Sequence, residues 1–184
     1  HVFGCHVHDN AGYGIYNGIA TTNGSITKSV LDTNAQHAIR FDSGTQNTAS
    51  NLLIDGNTIY GNDAGFATAN TPGDFSVTLT NNFFVNNSTG VFVVTQNRLR
   101  GFNNLFFGNT VAASGYTLDS TDLTSDPLFT DAAGGDFSLG ATSPAKATGY
   151  PGTILGGNTG YLDIGAIQRP GGSGGNKVIG SFGG

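Results

Sequence analysis

The amino-acid sequence predicts an all-β fold: a right-handed parallel β-helix, or β-solenoid, of about five coils followed by an irregular C-terminal closing segment. The first observation is an asparagine that recurs with its apolar neighbours every 22 to 28 residues. The second is composition: the 184 residues include 30 glycines and only 10% charged residues, with no periodic run of strong helix formers. Short strands joined by turns fit this composition.

The repeat is centred on five marker asparagines, which are Asn10, Asn34, Asn62, Asn87 and Asn109. Three positions before them stand the apolar residues Val7, Leu31, Ile59, Phe84 and Phe106. Two positions earlier stand Cys5, Ser29, Asn57, Asn82 and Asn104. Eight positions before the markers come Val2, Ile26, Ile54 and Leu79, with Gly101 breaking the pattern in the fifth coil. A second apolar group follows the markers: Ile15, Ile39, Phe66, Phe92 and Val111.

A period of this length suits one turn of a β-solenoid, in which equivalent positions stack about 4.8 Å apart. The apolar positions then form inward ladders. The series from Cys5 to Asn104 forms a corner ladder, in which stacked amides pair with one another. The marker asparagines are expected at turns, where asparagine tolerates left-handed backbone geometry. A leucine-rich repeat would require leucines at fixed short offsets, and a propeller a longer period.

The repeat is lost after Gly115, and a different series follows: Asp126-Pro127-Leu128-Phe129, Gly135-Asp136-Phe137-Ser138-Leu139, Ser143-Pro144-Ala145 and Asp163-Ile164-Gly165-Ala166-Ile167-Gln168. This series resembles the C-terminal region of bacterial and phage-associated right-handed parallel β-helix repeat proteins, where it closes the solenoid. One departure is Ala145-Lys146-Ala147, where those proteins more often carry an apolar residue and an aspartate. The resemblance implies the fold; it says little about function, since such repeats occur in lyases, epimerases, adhesins and viral fibres.

Three regions are therefore predicted: coils over 1–115, a closing segment over 116–169 and a glycine-rich tail over 170–184. In each coil, the residues on either side of the inward ladder residue (Val7 to Phe106) face outward. These outward residues are mostly polar in the first three coils and apolar in the last two, where they are Phe83, Val85, Leu105 and Phe107. Such a patch requires cover. We expect the closing segment to supply it through Leu128, Phe129, Phe137 and Leu139; another subunit is the alternative. The tail is either an anchor on a neighbouring chain or an engineered linker.

Charge and composition exclude several classes of partner. The net charge of −5 without a basic stripe argues against nucleic acid. The sequence contains no run of 18 apolar residues, which predicts that it does not insert into a membrane. A single cysteine, Cys5, allows no internal disulfide, and we expect it to be buried in the corner ladder. The chain begins at His1 within a strand pattern and is interpreted as a processed product or a fragment.

Candidate chemistry is concentrated near the N-terminus. The predicted register stacks His8 on Asp32 with Tyr60 next, and it places His6 on the same outward face. These four residues are the candidates for an acid/base site. His8 and Asp32 are weak candidates for a metal site. No cofactor is predicted, although Asx-rich turns such as Asp55-Gly56-Asn57 could hold Ca²⁺.

Two further observations bear on the candidate site. A lyase-like arrangement would combine Asp32 with Lys28 and Asp55. Polar residues facing outward on a solenoid are, however, most often simply solvated, and exposed His–Asp pairs contribute under about 1 kcal/mol. His37 is expected at a turn in a structural role.

The sequence thus favours a non-catalytic structural or adhesive module of a surface protein, filament or viral fibre, located extracellularly, on a cell surface or on a virion. Its expected partners are copies of itself or neighbouring subunits, contacted through the coil ends and the tail 170–184. The alternatives are a lyase or hydrolase acting on acidic polysaccharide, and a carbohydrate-binding solenoid in which Tyr13, Tyr16 and Tyr60 stack on sugar rings.

Overall fold

The structure is a computed structural model, and it describes residues 1–18, 23–42, 51–68, 76–94, 99–150 and 162–169. The described residues contain no helix: they form three parallel five-stranded sheets and one two-stranded antiparallel sheet. Successive strands of the chain enter the three parallel sheets in turn. This order defines a parallel β-helix of five coils, as the sequence predicts. The predicted tail 170–184 lies outside the described residues.

Each coil contributes one short strand to each parallel sheet. The first sheet contains β1 (Val2–Phe3), β4 (Ser25–Thr27), β7 (Leu52–Asp55), β10 (Val77–Thr80) and β13 (Leu99–Phe102). The second contains β2 (His6–His8), β5 (Val30–Asp32), β8 (Thr58–Tyr60), β11 (Phe83–Val85) and β14 (Leu105–Phe107). The third contains β3 (Ile15–Asn17), β6 (His37–Phe41), β9 (Ala64–Thr68), β12 (Thr89–Val93) and β15 (Val111–Ser114). The antiparallel pair is β16 (Phe129–Asp131) with β17 (Asp136–Leu139).

The interior is a continuous apolar column in which residues in register stack on one another. The predicted second-sheet ladder of Val7, Leu31, Ile59, Phe84 and Phe106 is confirmed by the strand register. Phe84 and Phe106 stack with ring centroids 5.0 Å apart. In the third sheet the prediction is wrong by one residue in the fourth coil and by two residues in the fifth. There Val91 and Ala113 align with Phe66, whereas Phe92 and Val111 are exposed.

Two hydrogen-bonded ladders run along the corners of the column. The corner ladder comprises Cys5, Ser29, Asn57, Asn82, Asn104 and Asp122. The marker ladder comprises the five marker asparagines. In a typical step, the backbone N and Nδ2 of Asn57 both donate to Asn82 Oδ1, at 3.0 and 2.9 Å. Each ladder residue donates hydrogen bonds to the side chain of the next coil. The last donor, Asn104, donates to the carboxylate of Asp122, which only accepts, and the corner ladder ends there.

The left-handed residue of each corner stands immediately before the ladder residue. The positive-φ positions are Gly4, Lys28, Gly56, Asn81 and Asn103 before the corner ladder, and Asp9, Thr33, Gly61, Asn86 and Gly108 before the marker ladder. The expectation that the marker asparagines themselves occupy this geometry is therefore wrong. The preceding residue reverses the chain, and this turn directs the ladder side chain inward to its hydrogen bonds.

Residues after the last coil cover its end. Leu123 bridges to Leu105, and Tyr116 and Leu118 pack against the apolar column. A Cβ on Gly101 would lie 2.2 Å from Tyr116 Oη, so the glycine that breaks the repeat leaves room for this tyrosine. Tyr116 Oη donates to Asp122 Oδ2 at 3.1 Å. Burial and the adjacent Asp122 raise the pKa of Tyr116.

The closing segment also packs on the outward face of the second sheet. Phe83, Val85 and Leu105 form a buried cluster with Ala145 and Ile164. Phe129 and Leu139 lie at the edge of this cluster, and the rings of Phe83 and Phe129 are 5.0 Å apart. The intramolecular cover therefore forms as predicted with Phe129, Phe137 and Leu139, whereas Leu128 is exposed.

The Ser143–Ala145 and Asp163–Gln168 motifs hold this cover in place. Ala145 and Ile164 are fully buried. A Cβ on Gly165, whose φ is +96°, would lie 2.3 Å from a ring carbon of Phe83. Asp163 accepts bonds from Arg169 Nη2 at 2.7 Å and from the backbone N of Ala147 at 2.8 Å.

Candidate functional site

A polar patch lies on the outward face of the second sheet in its first two coils. We call it the imidazole patch, and it consists of His6, His8, Asp9, Asp32 and Thr33. His6 and His8 alternate with the half-buried Val7 on β2, so both imidazoles emerge on the side away from the core. Their ring centroids are 4.3 Å apart with an interplanar angle of 29°. The β-helix thus places two imidazoles side by side at the polar end of the sheet.

Each imidazole of the patch is bonded to a carboxylate. His6 Nε2 donates to Asp32 Oδ1 at 2.6 Å, and His8 Nδ1 donates to Asp9 Oδ2 at 2.8 Å. Thr33 joins the two carboxylates: its Oγ1 is 2.8 Å from Asp9 Oδ1 and 3.3 Å from Asp32 Oδ2. Hydrogen bonds from His8 and Thr33 lower the pKa of Asp9. Because a hydroxyl donates only one proton, Thr33 bonds to one carboxylate at a time, and the patch consists of two His–Asp pairs with this hydroxyl between them.

The predicted neighbours stack in register, but they are bonded differently. His8 aligns with Asp32 and Asp32 with Tyr60, as the spacing predicted. The carboxylate of Asp32, however, reaches diagonally to His6, and His8 bonds to the adjacent Asp9. Sequence reasoning missed Thr33. Its position after β5, at the left-handed corner, was the signal that would have placed it beside Asp9 and Asp32.

Tyr60 is not part of the imidazole patch. Its ring lies 5.2 Å from that of Phe137 and 6.5 Å from that of Phe129, so the closing segment packs on it. Its hydroxyl accepts a bond from Asn86 Nδ2 at 3.2 Å. The structure thus brings together three of the four candidate site residues and places the fourth at the border of the apolar cover.

The lyase-like group of Asp32, Lys28 and Asp55 is not assembled, because Asp32 lies in the second sheet whereas Asp55 ends β7 in the first. Asp55 Oδ1 accepts bonds from Thr80 and Asn81 at 2.7 and 2.8 Å. The Nζ of Lys28 is buried without a hydrogen bond. Burial lowers the pKa of Lys28, opposed by the charge of Asp55. Lys28 and Asp55 therefore do not join Asp32 in the imidazole patch.

Two other candidates differ from the sequence prediction. His37 lies in β6 rather than at a turn, and its Nε2 is 3.6 Å from an Asp63 carboxylate oxygen. Burial, and then the charge of Arg40, lower the pKa of His37. Cys5 is exposed rather than buried, because it belongs to the first coil, which has a neighbour on one side only.

The imidazole patch does not line either of two shallow concavities elsewhere on the described surface. One, of about 90 Å³, lies beside His1, Phe41 and Leu53. The other, of about 510 Å³, lies beside Arg100 and Leu118. Enzyme sites are generally concave, with a few polar groups converging on the ligand. The patch instead lies on the outward face of a sheet.

The fold and the repeat define a parallel β-helix repeat protein. Residues 2–127 match the model of a family described as NosD, periplasmic copper-binding protein, and this match covers more than half of the chain. The chain therefore belongs to that family. No curated protein and no solved structure matches it. A periplasmic family agrees in a coarse sense with the predicted location outside the cytoplasm. No helix among the described residues is long and apolar enough to span a membrane.

The family's description raises the question of whether these residues could hold copper. Within the described ranges, no group of three or more His, Cys, Asp or Glu residues is arranged around a common metal position. The imidazole patch nevertheless supplies two imidazoles, a ligand type that suits copper, each with a carboxylate partner. The rings are, however, stacked with an interplanar angle of 29°, so their in-plane lone pairs do not converge on one ion, and the patch does not fit copper as a two-ligand site.

Proposed function

We propose that this chain is a non-catalytic structural or adhesive β-solenoid module of an exported protein. The observation that carries the proposal is the pair of uninterrupted side-chain ladders. They satisfy the buried polar corners of the interior coils, and they add side-chain hydrogen bonds between neighbouring coils along the column.

The contact surface we propose is the open edge of the first coil. Strands β1, β2 and β3 each lie at the end of their sheet and are paired with the second coil only. Phe3 on β1 is 72% exposed. The opposite end is covered by Tyr116, Leu118 and Leu123. A strand edge with an exposed aromatic side chain favours pairing with another β-structure, and we infer that preceding coils of a longer chain, a second copy or a neighbouring subunit pairs there.

Mass photometry and light scattering across a concentration series test this proposal. We expect the chain to self-associate, and Phe3→Lys to weaken the association by at least about ten-fold through an added charge at the edge. Val94→Lys is the matched control. Val94 is also exposed, but it directly follows β12 in the fourth coil, away from the first coil. A chain that stays monomeric at all concentrations, or equal effects of the two substitutions, would contradict the proposed contact.

A second candidate function is copper binding, which the family's description suggests, with the half-exposed imidazoles of His6 and His8 as separate candidate ligands. The test is isothermal titration calorimetry, in which Cu²⁺ alone is added to the metal-free chain and the heat of binding is measured. We expect saturable binding of one ion per chain. Heats no larger than those of Cu²⁺ diluted into buffer would exclude this function and would leave the structural role unaffected.

A further inference from the structure

Two tyrosines of the first coil form an aromatic surface on the outward side of the third sheet. Tyr16 lies in β3 next to Ile15, which packs against the apolar column, so the tyrosine faces outward. The ring centroids of Tyr13 and Tyr16 are 5.2 Å apart with an interplanar angle of 16°, and Tyr16 is 54% exposed. A Cβ on Gly18 would lie 2.8 Å from Tyr16 Oη and 3.1 Å from two ring carbons. A side chain at position 18 would therefore cover part of the ring that glycine leaves accessible.

Polar side chains of the next two coils lie beside the tyrosine pair. The rings of Tyr13 and His37 have centroids 5.4 Å apart, and Arg40 is the register partner of Tyr16. Arg40 Nη1 donates to His37 Nδ1 at 3.4 Å, and His37 Nε2 is 3.6 Å from an Asp63 carboxylate oxygen. We call Tyr13, Tyr16, His37, Arg40 and Asp63 the tyrosine platform.

The polar part of the platform is held in one arrangement. The side chains of His37 and Arg40 are mostly buried, and Arg40 Nε donates to Asp42. Because His37 Nδ1 accepts from Arg40, its Nε2 carries the proton, which faces Asp63. Burial and the charge of Arg40 lower the pKa of His37, in agreement with a neutral ring. The carboxylate of Asp63 is exposed and can accept further hydrogen bonds from a ligand.

An exposed aromatic ring beside a hydrogen-bonding carboxylate matches the chemistry of a sugar. The negative face of an aromatic ring attracts the C–H groups on the face of a pyranose, and the hydroxyls of the sugar donate to carboxylates. Tyr16 is in the first coil and Asp63 in the third, so two steps of about 4.8 Å separate them along the axis. A ligand that reaches both must therefore be longer than one sugar ring.

We infer that the tyrosine platform binds a neutral oligosaccharide, one ring of which stacks on Tyr16 while hydroxyls further along the chain donate to Asp63. The platform and the adjacent Asp42 together contain two carboxylates and one cation, Arg40, so an acidic sugar would be repelled. This inference rests on the adhesive part of the proposed function and gives it a ligand class. It does not depend on the contact at the first coil.

The test is an NMR titration of the full chain with cellohexaose, maltohexaose, mannohexaose and chitohexaose, and with hexagalacturonate as the acidic counterpart. At least one neutral hexasaccharide should shift the ring resonances of Tyr13 and Tyr16, and hexagalacturonate should bind at least about ten-fold more weakly. Tyr16→Ala should weaken binding by at least about five-fold, because the stacking face is lost, and Tyr16→Phe by less than about two-fold. Tyr150→Ala is the matched control, because Tyr150 is 52% exposed but contacts Phe102 in the closing segment.

Gly18→Val tests the same surface without removing an aromatic ring. The backbone of Gly18 is not left-handed, so it accepts a side chain, and valine should cover part of Tyr16 and weaken binding by at least about five-fold. Circular dichroism verifies the fold of each variant, and Gly18→Val decides if Tyr16→Ala does not fold.

The inference is overturned if no neutral hexasaccharide binds, if hexagalacturonate binds equally well or more tightly, or if Tyr16→Ala and Tyr150→Ala weaken binding equally. Self-association that persists in Tyr16→Ala would show that such a failure concerns the platform alone. Conversely, a chain that binds a neutral hexasaccharide but stays monomeric would refute the contact at the first coil and support the platform.

Discussion

The corner ladder makes a sharp prediction about stability at Asn82. This side chain is fully buried and takes part in both adjacent steps of the ladder. Its Oδ1 accepts from the backbone N and the Nδ2 of Asn57 at 3.0 and 2.9 Å. Its Nδ2 donates to Ile54 O at 2.8 Å and to Asn104 Oδ1 at 3.0 Å. Asn82→Ala removes all of these bonds.

The cost of Asn82→Ala follows from the donors that it leaves without a partner. Two N–H groups of Asn57 lose their acceptor in a buried position, and each such loss costs about 1–3 kcal/mol. Asn104 Oδ1 keeps the bond from the backbone N of residue 82, so it adds less. We therefore expect the free energy of unfolding to fall by about 2–6 kcal/mol.

Asn10→Ala is the matched control, because Asn10 is the exposed first member of the marker ladder and its side chain donates one bond, to Asn34 at 2.8 Å. It should cost about 0.5–1.5 kcal/mol. The assay is equilibrium urea unfolding followed by circular dichroism, with the slope compared between variants to verify that the same surface is exposed. If the free energy of unfolding fell equally in the two variants, the reasoning that the buried hydrogen bonds of the ladder stabilise the coils would be refuted.

Three further predictions concern the cover, the buried lysine and the half-buried histidine. Gly165→Ala should lower the melting temperature and expose Phe83, because a Cβ would meet that ring at 2.3 Å; unchanged thermal unfolding would contradict the observed packing. Lys28→Met should leave the free energy of unfolding equal or higher, because Nζ is buried without a hydrogen bond; a loss above about 1 kcal/mol would show that its charge stabilises the fold. Burial lowers the pKa of His37 below 6.5, so the folded state favours the neutral ring and stability should fall as the pH drops below 6.5. His37→Gln should reduce that fall when unfolding is measured at about pH 7.5 and about pH 5, and an unchanged pH profile would contradict this reasoning.

The coil register could be predicted from the sequence because two signals coincide in each turn. An asparagine whose amide must be satisfied and an apolar residue three positions earlier recur together, and the structure places both as predicted at Asn62 with Ile59 and at Asn87 with Phe84. A shift of one residue would turn every apolar side chain outward. The ladders therefore determine the register wherever both residues are present.

The third sheet shows where this reasoning fails. The run Val91-Phe92-Val93-Val94 is apolar throughout, so alternation does not distinguish the inward from the outward residues. The larger Phe92 was assigned to the core, but Val91 and Val93 are buried there and Phe92 is 37% exposed. The repeat period predicts where a strand lies along the chain. Predicting which of its side chains face the core also requires polar residues at alternate positions, and this strand has none.

The candidate site was predicted in its location but not in its bonds. Register places His8 level with Asp32, yet side chains of adjacent coils can also reach diagonally, and the short contact forms with His6. The exposure of Cys5 has a different origin: repeats predict the environment of a complete interior coil, and the first coil has one neighbour.

Hydrogen exchange of the asparagine side-chain amides tests the central claim most directly. In the described structure the Nδ2 groups of Asn57, Asn62, Asn82 and Asn87 donate to buried acceptors, whereas Asn10 lies at the exposed end. The ladders predict that the four interior Nδ2 resonances persist long after transfer to D₂O, and that the resonance of Asn10 disappears at once. Equally fast exchange of all five would contradict a solenoid held together by continuous asparagine ladders.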